Sequence, residues 1–347
     1  MLYVTTREKH DAFTATKALT EDRGPNGGLY LPMNLPHFDK AQLTALTTQS
    51  FGDCVAQILN QFFSCRLTGW DVEQCAGRHP VRCLTVGPRT IVAEAFRNIR
   101  WDYAHLEEAL SLLVCHRMDV PFGTTSWFRI AARIAVVFAL YGEAVKTGAL
   151  DTRQTFDVSV PTGDFTAPMA FWYAREMGLP VANIICACND NGAVWDLIHT
   201  GHLRTDVPTA RTTTPLADFA VPAELERLIF GKLGIDEAMR FGHLALEGGQ
   251  YTLASFAMDS LRNGMFAAVV SSDRVAALVP SAYSTCRYVM GPYTVLAYGA
   301  LMDYRSRTGE RRPALILADR SPVCDSTFVA KALNISAFEL KQRIETP

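Results

Sequence analysis

The chain has 347 residues, 49% of them apolar and 20% charged, so it can build a sizeable core and is not a globally disordered polymer. Its formal net charge of −2, with basic residues scattered, argues against nucleic acid or an anionic membrane as partner. The opening MLYVTTREKHDAF carries charges where a signal peptide needs an apolar core, Ile134–Tyr141 is too short to span a bilayer, and nine irregularly spaced cysteines read as free thiols of a reducing cytoplasm.

Residues 1–80 read as an α-rich lead-in. A helix is expected from near Asp11, ended by the turn residues Gly24–Gly28, with Leu29–Pro32 extended after it. Val55, Ile58, Leu59, Phe62 and Phe63 follow at core-facing helical spacing. Within Asn98–Val120, Trp101, Tyr103, Leu106, Ala109, Leu110 and Leu113 form a second helical stripe. Arg129 and Arg133 stand at i, i+4 on a helix otherwise apolar through Ile130, Ile134, Val137 and Phe138. Two readings stay open for them: pairing with a carboxylate such as Asp164 or Asp319, or an anion clamp.

From Phe156 to Gly201 the pattern is strand, turn, amphipathic helix, strand, which makes a βαβ unit with parallel strands. Phe165, Met169 and Trp172 mark the helix's core face and Gly178 its stop. Its turn, Thr162-Gly163-Asp164, stands where free N–H groups and a helix dipole favour phosphate. Cys186 and Cys188 have no further ligands nearby for a metal and read as core thiols. His199 and His202 flank Gly201 at a helix end, where a cation suits the dipole. No G-x-S-x-G, H-E-x-x-H or Walker loop is present.

Several of these stretches resemble threonine synthases. YVTTR, GPNGGLYLPMNLP and FGDCVAQILNQFF are similar to that family's Y-x-S-T-R-G, D-G-G-L-Y-V-P-x-x-L-P and A-x-x-I-L helix. DVSVPTGDFTAPMAFWYAREMGLPVANIICACNDN is similar to its V-S-V-P-S-G-N-F-G-N and A-T-N-x-N segments. Trp127–Ile130, Thr212–Asp218, Gly291–Thr294 and Leu317–Pro322 match further family motifs. The resemblance implies a fold-type II α/β architecture: an open, mostly parallel sheet like that of tryptophan synthase β. It implies residues 1–80 as the N-terminal helical region, 81–122 as a reduced remnant of the small cofactor domain, and 123–347 as the large domain.

Departures from the family cluster on the chemistry. Its pyridoxal-phosphate lysine lies in L-E-L-F-H-G-P-T-x-A-F-K-D, whereas Ala93-Glu94-Ala95-Phe96 continues here as Arg97-Asn98-Ile99-Arg100, and no lysine stands between Lys40 and Lys146. About thirty residues separate Arg97 from Trp127, where the family carries roughly a hundred more, a subdomain of ordinary size. The G-N-F-G-N phosphate loop becomes Gly163-Asp164-Phe165-Thr166-Ala167; Thr166 fills the second glycine and Asp164 adds a negative charge, as an N-cap or as part of a rebuilt site. Gly123-Thr124-Thr125-Ser126 loses both amides of the family's Asn-Ser-Ile-Asn, and Asp319 replaces a threonine near the cofactor ring.

The expectation is a threonine synthase-like protein without pyridoxal phosphate or any other cofactor or metal, acting as a binding, scaffold or regulatory pseudoenzyme. Its ligand-binding candidates are Thr162, Gly163, Asp164, Phe165, Arg129, Thr124, Asn189 and Asp319, for a small anion or amino acid. Residues 98–120 are a candidate homodimer or partner surface. Two enzymatic alternatives remain. One is cofactor-independent, with Asp164, Asp319, Asp190 or Cys188 in the remnant cleft; the other is a lyase or synthase acting on phosphorylated amino acids through a non-inherited lysine or a partner subunit.

Overall fold

In the computed structural model residues 1–78, 81–96, 101–246 and 248–345 are described. The chain starts with a small antiparallel sheet: β1 (Leu2–Thr5) lies between β2 (Glu8–Thr14) and β3 (Tyr30–Pro32). The helix expected from Asp11 starts later, at Ala15, as α1 (Ala15–Thr20), because Glu8–Thr14 is drawn into the sheet. Its register sets Phe13 opposite Tyr3, and the Phe13 ring meets Tyr30 edge-on at 5.3 Å. Cross-strand aromatic contact wins over the helix-like composition of EKHDAFT. The hydroxyl of Thr14 then accepts the Lys17 N–H and caps α1.

Three helices follow: α2 (Lys40–Leu46), α3 (Phe51–Phe63) and α4 (Gly69–Ala76). The expected apolar face of α3 is buried, including Val55, Ile58, Leu59, Phe62 and Phe63. Next come β4 (Arg82–Gly87) and β5 (Thr90–Glu94), then α5 (Tyr103–Met118) and α6 (Ser126–Lys146). On α5 the buried residues include Tyr103, Leu106, Leu110 and Val114; Ala109 and Leu113 are only half-buried, so the inward stripe is rotated slightly from the expected one. The helix packs on α4 and α6, and Asn98–Arg100, which open the segment Asn98–Val120, lie outside the described residues. Trp127, Phe128, Ile130, Ile134 and Val137 make α6 a core helix, almost wholly enclosed. Its N-terminus is fixed by Thr125, whose hydroxyl accepts the Phe128 N–H and donates to the Ala18 carbonyl.

The chain then forms β6 (Phe156–Pro161), α7 (Thr166–Glu176), β7 (Val181–Cys188) and α8 (Ala193–Thr200). A two-stranded piece, β8 (His202–Arg204) with β9 (Gln250–Thr252), precedes β10 (Met265–Val269) and β11 (Ala314–Ala318). The central sheet has the order β10-β7-β6-β11-β5-β4, parallel except for β4. Its inner strands β5, β6 and β11 are apolar and buried on both faces, as a parallel sheet covered by helices requires. The architecture is therefore the α/β, mostly parallel arrangement expected. Residues 82–94 extend this same sheet as its last two strands.

One topological fact places the site. Strand β11, more than a hundred residues after β6, inserts beside it in parallel. The turns leaving their C-terminal ends, Thr162–Asp164 and Asp319–Arg320, therefore lie side by side. Crevices at the carboxyl ends of such strands are where open α/β sheets hold ligands.

Candidate functional site

Gly163 leaves β6 with φ +48° and Phe165 enters α7 with φ +73°. A bulky residue in the left-handed region is uncommon and is held there by packing, since Phe165 is fully buried. The N-cap position of α7 is Phe165, which offers no side-chain cap; Asp164 supplies one from the position before it. One carboxylate oxygen accepts the Thr166 N–H at 3.0 Å, and the other lies 2.6 Å from Arg129 Nη1. Arg129 Nε donates to Glu107 at 3.1 Å, so this guanidinium joins α6, α5 and the turn. Burial alone would lower the Arg129 pKa, but Asp164 and Glu107 together raise it.

Four residues further along α6, Arg133 Nη1 donates to Asp319 at 2.5 Å. Its guanidinium carbon sits 3.0 Å from the centre of the Tyr103 ring, and the Tyr103 N–H donates to the Asp319 carbonyl at 3.0 Å. Burial pushes the Tyr103 phenol well above its ordinary value, and the Glu107 carboxyl is raised for the same cause despite Arg129 and Arg133. Arg320 lies 3.6 Å from Asp102 and 3.5 Å from Asp325.

These groups enclose a cavity of about 380 Å³. Arg129, Arg133, Arg320, Asp164 and Asp319 supply its charges; Leu216, Phe219 and Leu317 are among its apolar lining. Tyr293 also lines it and accepts the Leu216 N–H at 3.1 Å. No lysine lines it.

Thr162, Gly163, Asp164, Arg129 and Asp319 thus meet in one cavity. Phe165 is buried behind it, and Thr124 is exposed away from its lining, next to the Thr125 cap of α6. Asn189 acts on the wall: Nδ2 donates to Asp218 at 2.8 Å and to Thr214 at 3.1 Å, which ties the segment carrying Leu216 and Phe219 to the end of β7. Cys188 is fully buried; burial pushes its thiol up to about 12, and it does not line the cavity. Asp190 accepts from the N–H and hydroxyl of Ser272 rather than facing the other aspartates. His199 does not cap its helix; its Nε2 lies 2.8 Å from the Ala267 carbonyl of β10. Among the described residues no cluster of three His, Cys, Asp or Glu is placed to hold a metal ion, and no helix is long and apolar enough to cross a membrane.

Sequence reasoning missed Glu107, Tyr103, Arg320 and the Leu216–Phe219 wall as site groups. Glu107 and Tyr103 carried one weak signal, a polar residue and a phenol beside the inward stripe of α5. Arg320 and the wall carried none, because their approach depends on where β11 inserts and where Asn189 fastens the chain.

Residues 2–78 match the family described as Threonine synthase N terminus. Human Threonine synthase-like 1 is 29% identical over 192 residues, covering 52% of this chain and 26% of that protein. Threonine synthase of Pseudomonas aeruginosa is 30% identical over 226 residues, covering 61% of this chain and 44% of the enzyme. The chain thus spans about a quarter to under half of the length of these relatives. Among solved structures, the PLP-bound threonine synthase from Brucella melitensis superposes with a TM-score of 0.81 at 19% identity, covering 99% of this chain and 94% of that one. The yeast threonine synthase gives 0.81 at 15% identity, covering 99% and 93%.

Proposed function

For a threonine synthase-like chain of fold-type II architecture, we propose a pseudoenzyme that no longer uses pyridoxal phosphate and acts as a binding, scaffold or regulatory protein. One observation carries this reading: the Asp164 carboxylate occupies the turn where an anion would sit, taking both the Thr166 N–H and the Arg129 guanidinium. A helix N-terminus attracts phosphate through free N–H groups and positive charge. Here a fixed carboxylate uses both, and it would repel a dianion. The residues therefore do not fit the cofactor's phosphate, and the cavity has no amine to hold its aldehyde.

The enzymatic alternatives find less support. Cys188 is enclosed in the sheet with its thiol protonated, and Asp164 and Asp319 each hold a guanidinium rather than standing ready for proton transfer. Lys232 is the one described lysine whose pKa is clearly lowered, to about 8, yet it does not line the cavity. The odd number and irregular spacing of the cysteines support a reducing compartment such as the cytoplasm.

The test is titration of the purified protein with pyridoxal phosphate, followed by gel filtration, visible absorbance and intact mass after borohydride. The expected result is no retained chromophore and no reduced adduct. A stoichiometric visible band abolished by borohydride, with the matching mass increase, overturns the proposal.

A further inference from the structure

Among the described residues seven buried side-chain polar atoms have no hydrogen-bond partner, and four of them gather here, on Tyr103, Arg133, Arg320 and Asp325. Arg133 and Arg320 line the cavity; Arg133 leaves its Nε–H without an acceptor, whereas Arg320 Nε faces Asp325 Oδ2 at 3.5 Å. The hydroxyl of Tyr103, whose ring lies under the Arg133 guanidinium, is likewise unused. Arg133 and Tyr103 are 7% and 4% exposed, too deep for bulk water to satisfy them freely. Buried donors are almost always paired, so the unused Nε–H of cavity-lining Arg133, with the unused Tyr103 phenol beside it, asks for an acceptor from outside the chain.

The charges narrow its nature. Arg129 already holds Asp164 and Glu107, and Asp164 also takes the Thr166 N–H, which disfavours a phosphate at that turn. Counting Asp102, Glu107 and Asp325 behind the lining, the acids here outnumber the three guanidinium groups. An incoming anion must therefore replace an internal carboxylate rather than join it. Asp319 is the replaceable one: its side chain is 34% exposed and holds Arg133 by a single N–H. A planar carboxylate can take the Nε and Nη edge of a guanidinium together, which Asp319 does not do.

The opposite wall is apolar. Leu216 is 63% exposed and Phe219 39% exposed, an unusual state for large apolar side chains at a cavity mouth. At about 30 Å³ per water, the cavity has room for roughly a dozen heavy atoms.

Resting on the binding-protein reading above, we propose that Arg133 and Arg320 form a site for a small organic monocarboxylate with an apolar or aromatic body. Its carboxylate displaces Asp319 from Arg133, and its body packs on Leu216 and Phe219.

Isothermal titration with benzoate tests this, with inorganic phosphate as the contrasting anion. Benzoate is expected to bind the intact protein and phosphate is not. Asp319→Asn, which removes the competing charge, should tighten benzoate by about tenfold; Arg133→Lys, which keeps the charge but loses the planar edge, should weaken it by at least about tenfold. Arg320→Gln, at a more exposed residue, should weaken it less, and it serves if Arg133→Lys fails the check of folding by circular dichroism. Absence of benzoate binding to both the wild-type protein and Asp319→Asn overturns the proposal. So does binding unmoved by the arginine variants, or phosphate binding as tightly as benzoate. Failure here leaves the cofactor reading intact, because borohydride trapping reads a lysine and this titration reads Arg133; trapped cofactor would overturn that reading without touching this one.

Discussion

Arg129 Nη1 stands 2.6 Å from the Asp164 carboxylate, a pair that fastens α6 to the turn after β6. Both side chains are partly solvated, at 39% and 26% exposure, so the pair is worth less than a fully enclosed one. A double-mutant cycle of Arg129→Ala and Asp164→Ala, read by urea unfolding, should give a coupling of about 1 kcal/mol. Arg129→Ala should cost more than Asp164→Ala, because it also strands the Glu107 carboxylate, whose pKa burial already raises. A coupling indistinguishable from zero would reduce the pair to a surface contact and remove the main support for a self-filled turn.

Lys232 gives a pH-dependent expectation. Its Nζ donates to the carbonyls of Ser260 at 3.2 Å and Asn263 at 2.8 Å, while burial, helped by Arg175, lowers its pKa to about 8. An unfolded lysine titrates near ~10.4. Between these values the unfolded chain keeps a proton that the folded chain has released, so this residue's contribution to stability rises with pH. It is complete above the unfolded value and lost as pH falls through about 8. Lys232→Met should remove that slope, changing the wild-type-minus-variant stability by about 1 kcal/mol across the window after allowing for solvent screening. If the two carbonyls dominate over burial, the difference will be flat with pH, and the lowered value is then wrong.

How much of this was legible follows from which contacts are local. The β6–α7–β7 unit could be read because strand burial and helical spacing are written within about thirty consecutive residues. Arg129 and Arg133 could be picked out as two cations on an apolar helix, with Asp164 and Asp319 named as partners. Which carboxylate meets which arginine could not, since that depends on β11 lying next to β6. The same limit hid β2: EKHDAFT suits a helix by itself and becomes a strand where Phe13 pairs with Tyr3 on β1 and meets the Tyr30 ring of β3. Tyr103 read as core, and it is core, but its ring also floors Arg133, a contact that only the packing of α5 on α6 creates.

Cys188 offers a direct check on whether the βαβ strand end still carries a nucleophile. Its thiol is fully buried and held protonated up to about 12. A thiol-reactive probe near neutral pH should therefore leave it unmodified in the folded protein and label it only after unfolding, with peptide mapping to identify the site. Partly exposed Cys75 and Cys324 should label first. Rapid modification of Cys188 in the native state would reopen a covalent role for it.

Glu226 tests what holds the N-terminal sheet to the rest of the chain. It is fully buried, yet accepts from the hydroxyl of Thr6 and from Arg7 at 3.0 and 3.1 Å, with Arg23 at 4.0 Å. Its helix, Leu225–Leu233, next presents Arg227, which donates to the Tyr30 carbonyl on β3 at 2.9 Å. Removing one member of such an enclosed pair leaves an uncompensated charge, so Glu226→Ala should destabilise by about 3–5 kcal/mol. Glu226→Gln keeps an acceptor for Thr6 and for one guanidinium N–H, and should cost less, roughly half as much. Because Arg7 follows β1 directly, the loss should appear first as proteolytic cleavage within residues 1–32, before the central sheet unfolds. If cleavage begins instead in the segments around β10 or β11, with the N-terminus intact, Glu226 is not the fastening point.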